Sequence, residues 1–147
     1  MAEIIIRPLT STDRAGWVEM RHTLWPHASR DELGAELDDI VASGTAGFGA
    51  FDGDRMIGFA EVSQRQYGDG CDTAPVGWLE GILVLHGYRR GNIARRLVAA
   101  VEEWTRARGL TELGSDAELD NLISRLAHAR WGFAETGRSV LFRKVLA

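Results

Sequence analysis

Cysteine is nearly missing from this chain of 147 residues: Cys71 is the single thiol. Without a second thiol, an internal disulfide framework and a thiolate metal cluster are both excluded. Long apolar runs are missing too, and no stretch approaches the ~20 residues of a membrane-spanning helix. The amino terminus, MAEIIIRPLTSTD, offers only Ile4, Ile5 and Ile6 with no basic segment ahead of them. It reads as a first strand and not as a signal peptide. Basic charge is in deficit, with 17 Lys and Arg against 21 Asp and Glu and a formal net charge of −4. Nucleic-acid binding needs a basic face, so neither nucleic acid nor membrane is an expected partner, and a reducing cytoplasm is the expected compartment. A cationic partner suits this balance. Repeats, low-complexity tracts and linkers are absent, so one domain over residues 1–147 is expected, long enough to bury a core.

What is present divides into elements of alternating period. Residues 3–7, EIIIR, are β-branched and read as a strand. Trp17, Met20 and Leu24 have helical spacing over 11–24 with Thr10 or Ser11 as cap, and Ser29 with Glu32 makes a capping box for a second helix to about Ala42. Apolar strands at 46–51 and 55–63 flank Asp52-Gly53-Asp54, a hairpin signal. QRQYGDGCDTAP, 64–75, is a loop by its glycines and proline. VGWLEGILVLH, 76–86, is a long strand, followed by a helix from about Ile93 to Arg108 with Ile93, Leu97, Val101 and Trp104 on one face and Gly109 as its stop. A short strand near 110–114, a helix over 119–130 and two strands at 133–136 and 139–145 complete the order. The expectation is an α/β fold: a mixed, mostly antiparallel central sheet with helices on both faces.

GYRRGNIARRL, 87–97, is out of character in an acidic chain. Arginines at a helix start oppose the macrodipole, a cost that reverses sign when an anion docks there. Gly91 permits close approach and Asn92 tolerates left-handed backbone, so the strand–loop–helix turn suits phosphate oxygens flanked by Arg89, Arg90, Arg95 and Arg96. A solvated helix end is the alternative. The usual nucleotide loops do not match.

RRGNIA, 89–94, resembles the R-x-x-G-x-G/A signature of GCN5-related N-acetyltransferases (GNAT), with Asn92 where that family usually has glycine. The resemblance implies the GNAT fold, and a loop holding the pyrophosphate of acetyl-CoA through Arg89, Arg90, Gly91, Asn92, Ile93, Ala94 and Arg95. LW at 24–25, GCDTAPVGWLEGI at 70–82, SDAELDN at 115–121, His128 and WGF at 131–133 narrow it: the chain resembles aminoglycoside 6′-N-acetyltransferases, although Leu83 stands where a tyrosine is common. This implies a cationic amino-sugar substrate, antibiotic resistance and a homodimer.

Glu80 is the odd residue of its strand; a carboxylate there must be paired, protonated or facing a wet cleft. Acetyl transfer needs a neutral amine, and an alkylammonium titrates near 10.4, so a carboxylate that attracts the cation and helps remove a proton, directly or through water, has a role. An edge-face glutamate beside an arginine is the alternative. Asp116, after Ser115 at a strand end, opens to the carboxyl-end crevice, and the resemblance sets it against substrate ammonium; otherwise it caps the next helix. Trp25 and Tyr67 are placed to stack on sugar rings and hold ammonium groups, with core packing as the rival for Trp25. Backbone amides at Ile82, Leu83 and Val84 are plausible partners of thioester and pantetheine. The resemblance gives Asn121 to the pantetheine arm, with a first-turn cap as the other reading; where many acetyltransferases of this fold place a tyrosine beside the departing thiolate stands His128, a candidate acid, with a structural histidine as the other reading. His22, His27, Cys71, His86 and His128 show no zinc spacing, so no metal is expected. The remaining readings are another small amine as acceptor, or a coenzyme-binding module without turnover.

Overall fold

The computed structural model describes residues 3–147, which divide into two compact units, one ending at Ser115 and the other spanning Asp116–Ala147. The first holds strands β1 (Ile4–Pro8), β2 (Ala46–Asp52), β3 (Arg55–Arg65), β4 (Val76–Val84) and β5 (Leu113–Gly114), and helices α1 (Arg14–Leu24), α2 (Arg30–Ala42) and α3 (Ile93–Ala107). The strands form one sheet in sequential order, antiparallel except for the parallel β4–β5 pair. The mixed, mostly antiparallel sheet expected from the sequence is therefore found.

Local chemistry explains the boundaries. Ser29 Oγ accepts the Glu32 N–H at 3.1 Å and starts α2 as the capping box requires. Gly53, at φ +59°, turns the β2–β3 hairpin, and Gly109, at φ +75°, follows the C-cap Arg108 of α3. On α3 the buried stripe is Ile93, Leu97, Val98, Val101 and Thr105. Trp104 stands at its margin under the Arg108 guanidinium, 4.2 Å from the ring centroid. Thr105 enters the core without cost because its hydroxyl donates to Val101 O at 2.8 Å.

Helices cover both faces. Trp17 of α1 fills the space that a side chain at Gly47 would need, and Thr105 of α3 does the same at Gly77. Trp17, Val18, Met20, Leu37, Phe51, Met56 and Phe59 form the core on the α1–α2 side. Within it lies a charged pair that composition does not announce. Arg21 donates through Nη1 to both oxygens of Glu61, at 2.6 and 2.7 Å, and Trp17 Nε1 donates to Glu61 at 2.7 Å. Both charged side chains are 1% exposed. Burial raises the Glu61 carboxyl, opposed by Arg21 and then Trp17.

The second unit contains α4 (Leu122–Arg130), shorter than the helix expected over 119–130 because Asn121 is its cap. The two strands expected at 133–136 and 139–145 are not present; residues 133–147 form none. Alternating apolar residues make a strand only where a neighbouring edge takes the backbone hydrogen bonds, and within this unit there is none.

Candidate active site

The site is built around an interruption in β4. Residues four apart on a regular strand share a face. Yet Gly77 lies under Thr105 of α3, while Gly81 lies under Trp25 at the end of α1. The register gives the reason: Glu61 pairs with Gly81 and Val62 with Leu79, leaving Glu80 as an extra, unpaired residue. A bulge of this kind re-aims its side chain. It also explains how a carboxylate survives in VGWLEGILV, since Glu80 does not have to enter the α3 core.

Glu80 is 25% exposed and firmly held. Ser63 Oγ–H donates to Oε2 at 2.5 Å, Arg65 Nε–H to Oε2 at 3.0 Å, and Arg65 Nη2–H to Oε1 at 2.6 Å. Ser63 and Arg65 alternate along β3 with Glu61, so all three project to the α1 face. The Arg65 guanidinium lies 4.5 Å from the Trp78 ring centroid. The arginine-paired glutamate contemplated from the sequence is thus found, on a carboxylate that still reaches solvent.

Trp25 is half-buried. One side joins the core, edge-on to Phe59 at 6.5 Å and 4.9 Å from the Arg21 guanidinium. Its Cη2 would lie 2.8 Å from a Cβ at Gly81, so the ring rests on the backbone next to Glu80. Tyr67 is 73% exposed. The loop that carries it is tied down farther on by Glu112, which accepts the N–H groups of Asp72 and Thr73 and the Thr73 hydroxyl. The hydroxyl first, and then those amides, hold the Glu112 carboxyl below its ordinary value. Burial, then Glu112 and Asp72, pushes the Cys71 thiol up, which makes it a poor nucleophile.

Beyond Trp78, β4 has no partner on its β5 side among the described residues, because β5 pairs only with Gly77 and Trp78. The half-buried run Glu80, Gly81, Ile82 and Leu83, and Val84 after it, therefore borders an unpaired strand edge, as an extended ligand chain requires. β4 then feeds the arginine loop. Arg89 Nε donates back to Val84 O at 3.1 Å, and Tyr88 Oη donates to Asp52 at 2.6 Å, raising the tyrosine hydroxyl and fixing the loop's entry. Asn92 is left-handed, φ +57° and ψ +18°, as expected for a residue in a glycine position. The first helical bond runs from Arg96 N–H to Asn92 O at 3.0 Å, so the N–H groups of Ile93, Ala94 and Arg95 have no carbonyl one turn back. A Cβ at Gly91 would meet only the Ile93 side chain among the described residues, at 3.6 Å, and Arg90 is exposed. Arg96 does not flank the loop's centre: its Nη2 donates to Ile4 O of β1 at 2.9 Å. A left-handed turn, a bare helix start and nearby guanidinium groups fit a phosphate-bearing ligand.

In the second unit, Asp116 is exposed and does not cap α4. That role belongs to Asn121, whose Oδ1 accepts the Ser124 N–H at 3.1 Å, leaving its amide NH2 as the donor for any ligand. His128 Nδ1 sits 2.7 Å from Ser124 O. A carbonyl only accepts, so Nδ1 carries a proton and donates it to Ser124 O. Trp131 and Phe133 flank the ring, each 5.2 Å away.

Sequence reasoning missed Ser63, Arg65, Glu112 and the Arg21–Glu61 pair. Glu61, inside the apolar run IGFAEV, carried the same signal as Glu80. Arg65 was hidden by ending the strand at 63.

Comparison with known proteins bears on the chain as a whole. Residues 14–133 match the acetyltransferase (GNAT) family. The chain is 42% identical to an aminoglycoside N(6′)-acetyltransferase type 1 of Serratia marcescens, covering 88% of this chain and 91% of that protein. It is 38% identical to the one of Klebsiella aerogenes, covering 97% of each. The solved complex of AAC(6′)-Iy with the bisubstrate analogue CoA-S-monomethyl-acetylneamine superposes with a TM-score of 0.92 at 37% identity, covering 99% of this chain and 100% of that one. The bulged strand with its open edge, the left-handed turn at Asn92 and these matches lead to one assignment: the chain belongs to the acetyltransferase (GNAT) family.

Proposed function

We propose that this protein transfers the acetyl group of acetyl-CoA to the 6′-amino group of aminoglycosides, and so confers resistance to them. The observation that carries the reading is Glu80: a bulge places a solvent-reaching carboxylate beside Trp25, at the start of the unpaired edge of β4. Relatives near 40% identity bear the matching name, and a similar solved chain holds a ligand joining coenzyme to amino sugar. The turn at 89–95 receives the diphosphate, and the Ile82–Val84 edge receives the pantetheine arm. In the reaction the amine nitrogen bonds to the thioester carbon, the C–S bond breaks, and the amine proton leaves. Glu80 attracts the ammonium and takes that proton, directly or through water. Trp25 and Tyr67 supply aromatic faces for the cationic sugar, and Asp116 a further carboxylate. His128, its Nδ1–H committed to Ser124, donates to sulfur only as imidazolium. The raised Cys71 thiol favours direct transfer over an acetyl-enzyme.

The family match runs through both compact units, and we read them as parts of one acetyltransferase domain. We read the assembly as a homodimer. No residue of α4 is buried, and Leu122, Ile123 and Leu126 are exposed, as are Val140, Leu141, Phe142, Val145 and Leu146 at 70–92%. So many exposed large apolar side chains call for a partner, and a second copy also offers residues 139–145 a strand edge. Light scattering after gel filtration should show twice the chain mass, and Phe142→Asp should lower it; a wild-type monomer at high micromolar concentration refutes this. Dependence on acetyl-CoA places the enzyme in the cytoplasm.

The test is thiol release from acetyl-CoA across a panel of amines. Turnover confined to aminoglycosides with a 6′-amine is expected. Turnover with other amines only, or coenzyme binding without turnover, overturns the reading. Glu80→Gln should lower kcat/KM and leave acetyl-CoA affinity nearly unchanged; equal loss of both makes Glu80 structural.

A further inference from the structure

A carboxylate offers about four lone-pair directions, two on each oxygen. On Glu80, Oε2 is saturated by Ser63 Oγ–H and Arg65 Nε–H, and among the described residues Oε1 receives Arg65 Nη2–H alone. One acceptor position therefore remains, on Oε1, of a side chain that still reaches solvent. We propose that Ser63 and Arg65 are positioning residues for acetyl transfer, clamping Glu80 so that it presents a single Oε1 acceptor site to the incoming amine. The inference rests on the reading of Glu80 as the amine-binding carboxylate.

Three features set the clamp apart from a chance surface ion pair. Arg65 engages both oxygens with its planar fork, which fixes the carboxylate plane as an ammonium at one point would not. Its guanidinium lies over the face of the buried Trp78 ring, which holds the fork on its far side. Ser63 and Arg65 stand two residues apart on β3, so one rigid strand sets both donors. The bulge frees Glu80 from the sheet register, and the clamp replaces the lost constraint. An unclamped glutamate would sample several rotamers, with its oxygens equivalent towards the amine.

The test measures kcat and both KM values by thiol release for Glu80→Gln, Ser63→Ala, Arg65→Ala and Arg65→Lys, with melting temperatures alongside. Misplacing a reacting group by about 1 Å costs as much as ~100-fold, so Arg65→Ala should lose tens-fold in kcat with acetyl-CoA KM within about twofold. Millimolar guanidinium should restore part of that turnover. Arg65→Lys should not recover it, because one ammonium cannot span both oxygens. Ser63→Ala removes only a hydroxyl, keeps the fold testable and should lose several-fold in kcat. If Glu80→Gln is damaged while Ser63→Ala and Arg65→Ala turn over normally, the clamp is refuted and the role of Glu80 stands. If Glu80→Gln itself is normal, the underlying reading fails. Full activity in Arg65→Lys, or an Arg65→Ala defect that guanidinium does not relieve, also overturns the proposal.

Discussion

Arg21→Met tests the most buried electrostatic feature of the fold, and the structure sets the size of the effect. Met keeps the length of the apolar stem and removes the guanidinium. Glu61, 1% exposed, would then keep only Trp17 Nε1–H as partner. Stripping one member from a buried ion pair typically costs about 3–5 kcal/mol, because the survivor must either stay charged in a desolvated site or take up a proton to remain there. The second contact of Arg21, to Glu36, adds little, since that glutamate is 61% exposed. For a chain of this size the loss corresponds to roughly 10 °C in Tm. Urea unfolding at one fixed protomer concentration is the assay, because association would make stability depend on concentration. The double variant Arg21→Met/Glu61→Gln should recover more than half of the loss, since no ion is left unpaired. A single variant within about 1 kcal/mol of wild type at equal m-value would show that Glu61 is not desolvated, and that the pair does not hold α1 on β3. The consequence reaches the site: Trp25 is the C-cap of α1, so the seating of that helix on β3 sets how the ring meets Gly81.

Two further perturbations probe other joints. Hydrogen bonding by Arg7, opposed by burial and aided by Thr10, holds the Asp13 carboxyl at about 2, against an ordinary 3.8. A lowered carboxyl stabilises above its ordinary value, so this contribution is complete by neutral pH and is lost as pH falls through about 4 to about 2. Arg7 is 43% exposed, and solvent screening brings the contribution to about 1 kcal/mol; Asp13→Asn should cost that near pH 7 and nearly nothing near pH 2, with equal losses at both pH values refuting the assignment. Gly81→Ala would put a Cβ 2.8 Å from Trp25 Cη2, so the ring must move at about 1–3 kcal/mol for overpacking; the amine KM should rise several-fold with acetyl-CoA KM unchanged, and an unchanged amine KM would remove Trp25 from the substrate site.

Where sequence period and local chemistry point the same way, the elements were legible. Ser29 with Glu32, the Asp52-Gly53-Asp54 turn, the α3 stripe at Ile93, Leu97 and Val101 and the stop at Gly109 all stand where the residues require, while Trp104 lies at the margin of that stripe. Asn92 was legible too, because a positive φ admits few side chains. The bulge was not. VGWLEGILV is apolar on both sides of Glu80, so no alternation existed to break, and the extra residue shows only when β3 sets the register. The tail failed for a related reason. SVLFRKVL has the composition of a strand, but strand formation depends on a partner edge that local sequence does not encode.

Glu80 shows why two opposed readings of one residue need not exclude each other. From the sequence it was either the arginine-paired glutamate of a structural ion pair or the carboxylate that meets the substrate. The structure pairs it with Arg65 and also leaves it one acceptor position and a solvent-reaching face. A buried unpaired carboxylate would take up a proton to escape its desolvation cost, and would then repel nothing and attract no ammonium. An exposed, unheld one would attract the cation weakly, in a high dielectric and without direction. A partly buried carboxylate keeps its charge and its direction together only if something in the protein neutralises part of it while leaving a lone pair open. An arginine fork across both oxygens does this, whereas a symmetric cage of donors would satisfy Glu80 completely and leave the amine nothing to bind. Counting the donors around a candidate carboxylate against its four acceptor positions is therefore a sharper criterion than asking whether it is paired at all.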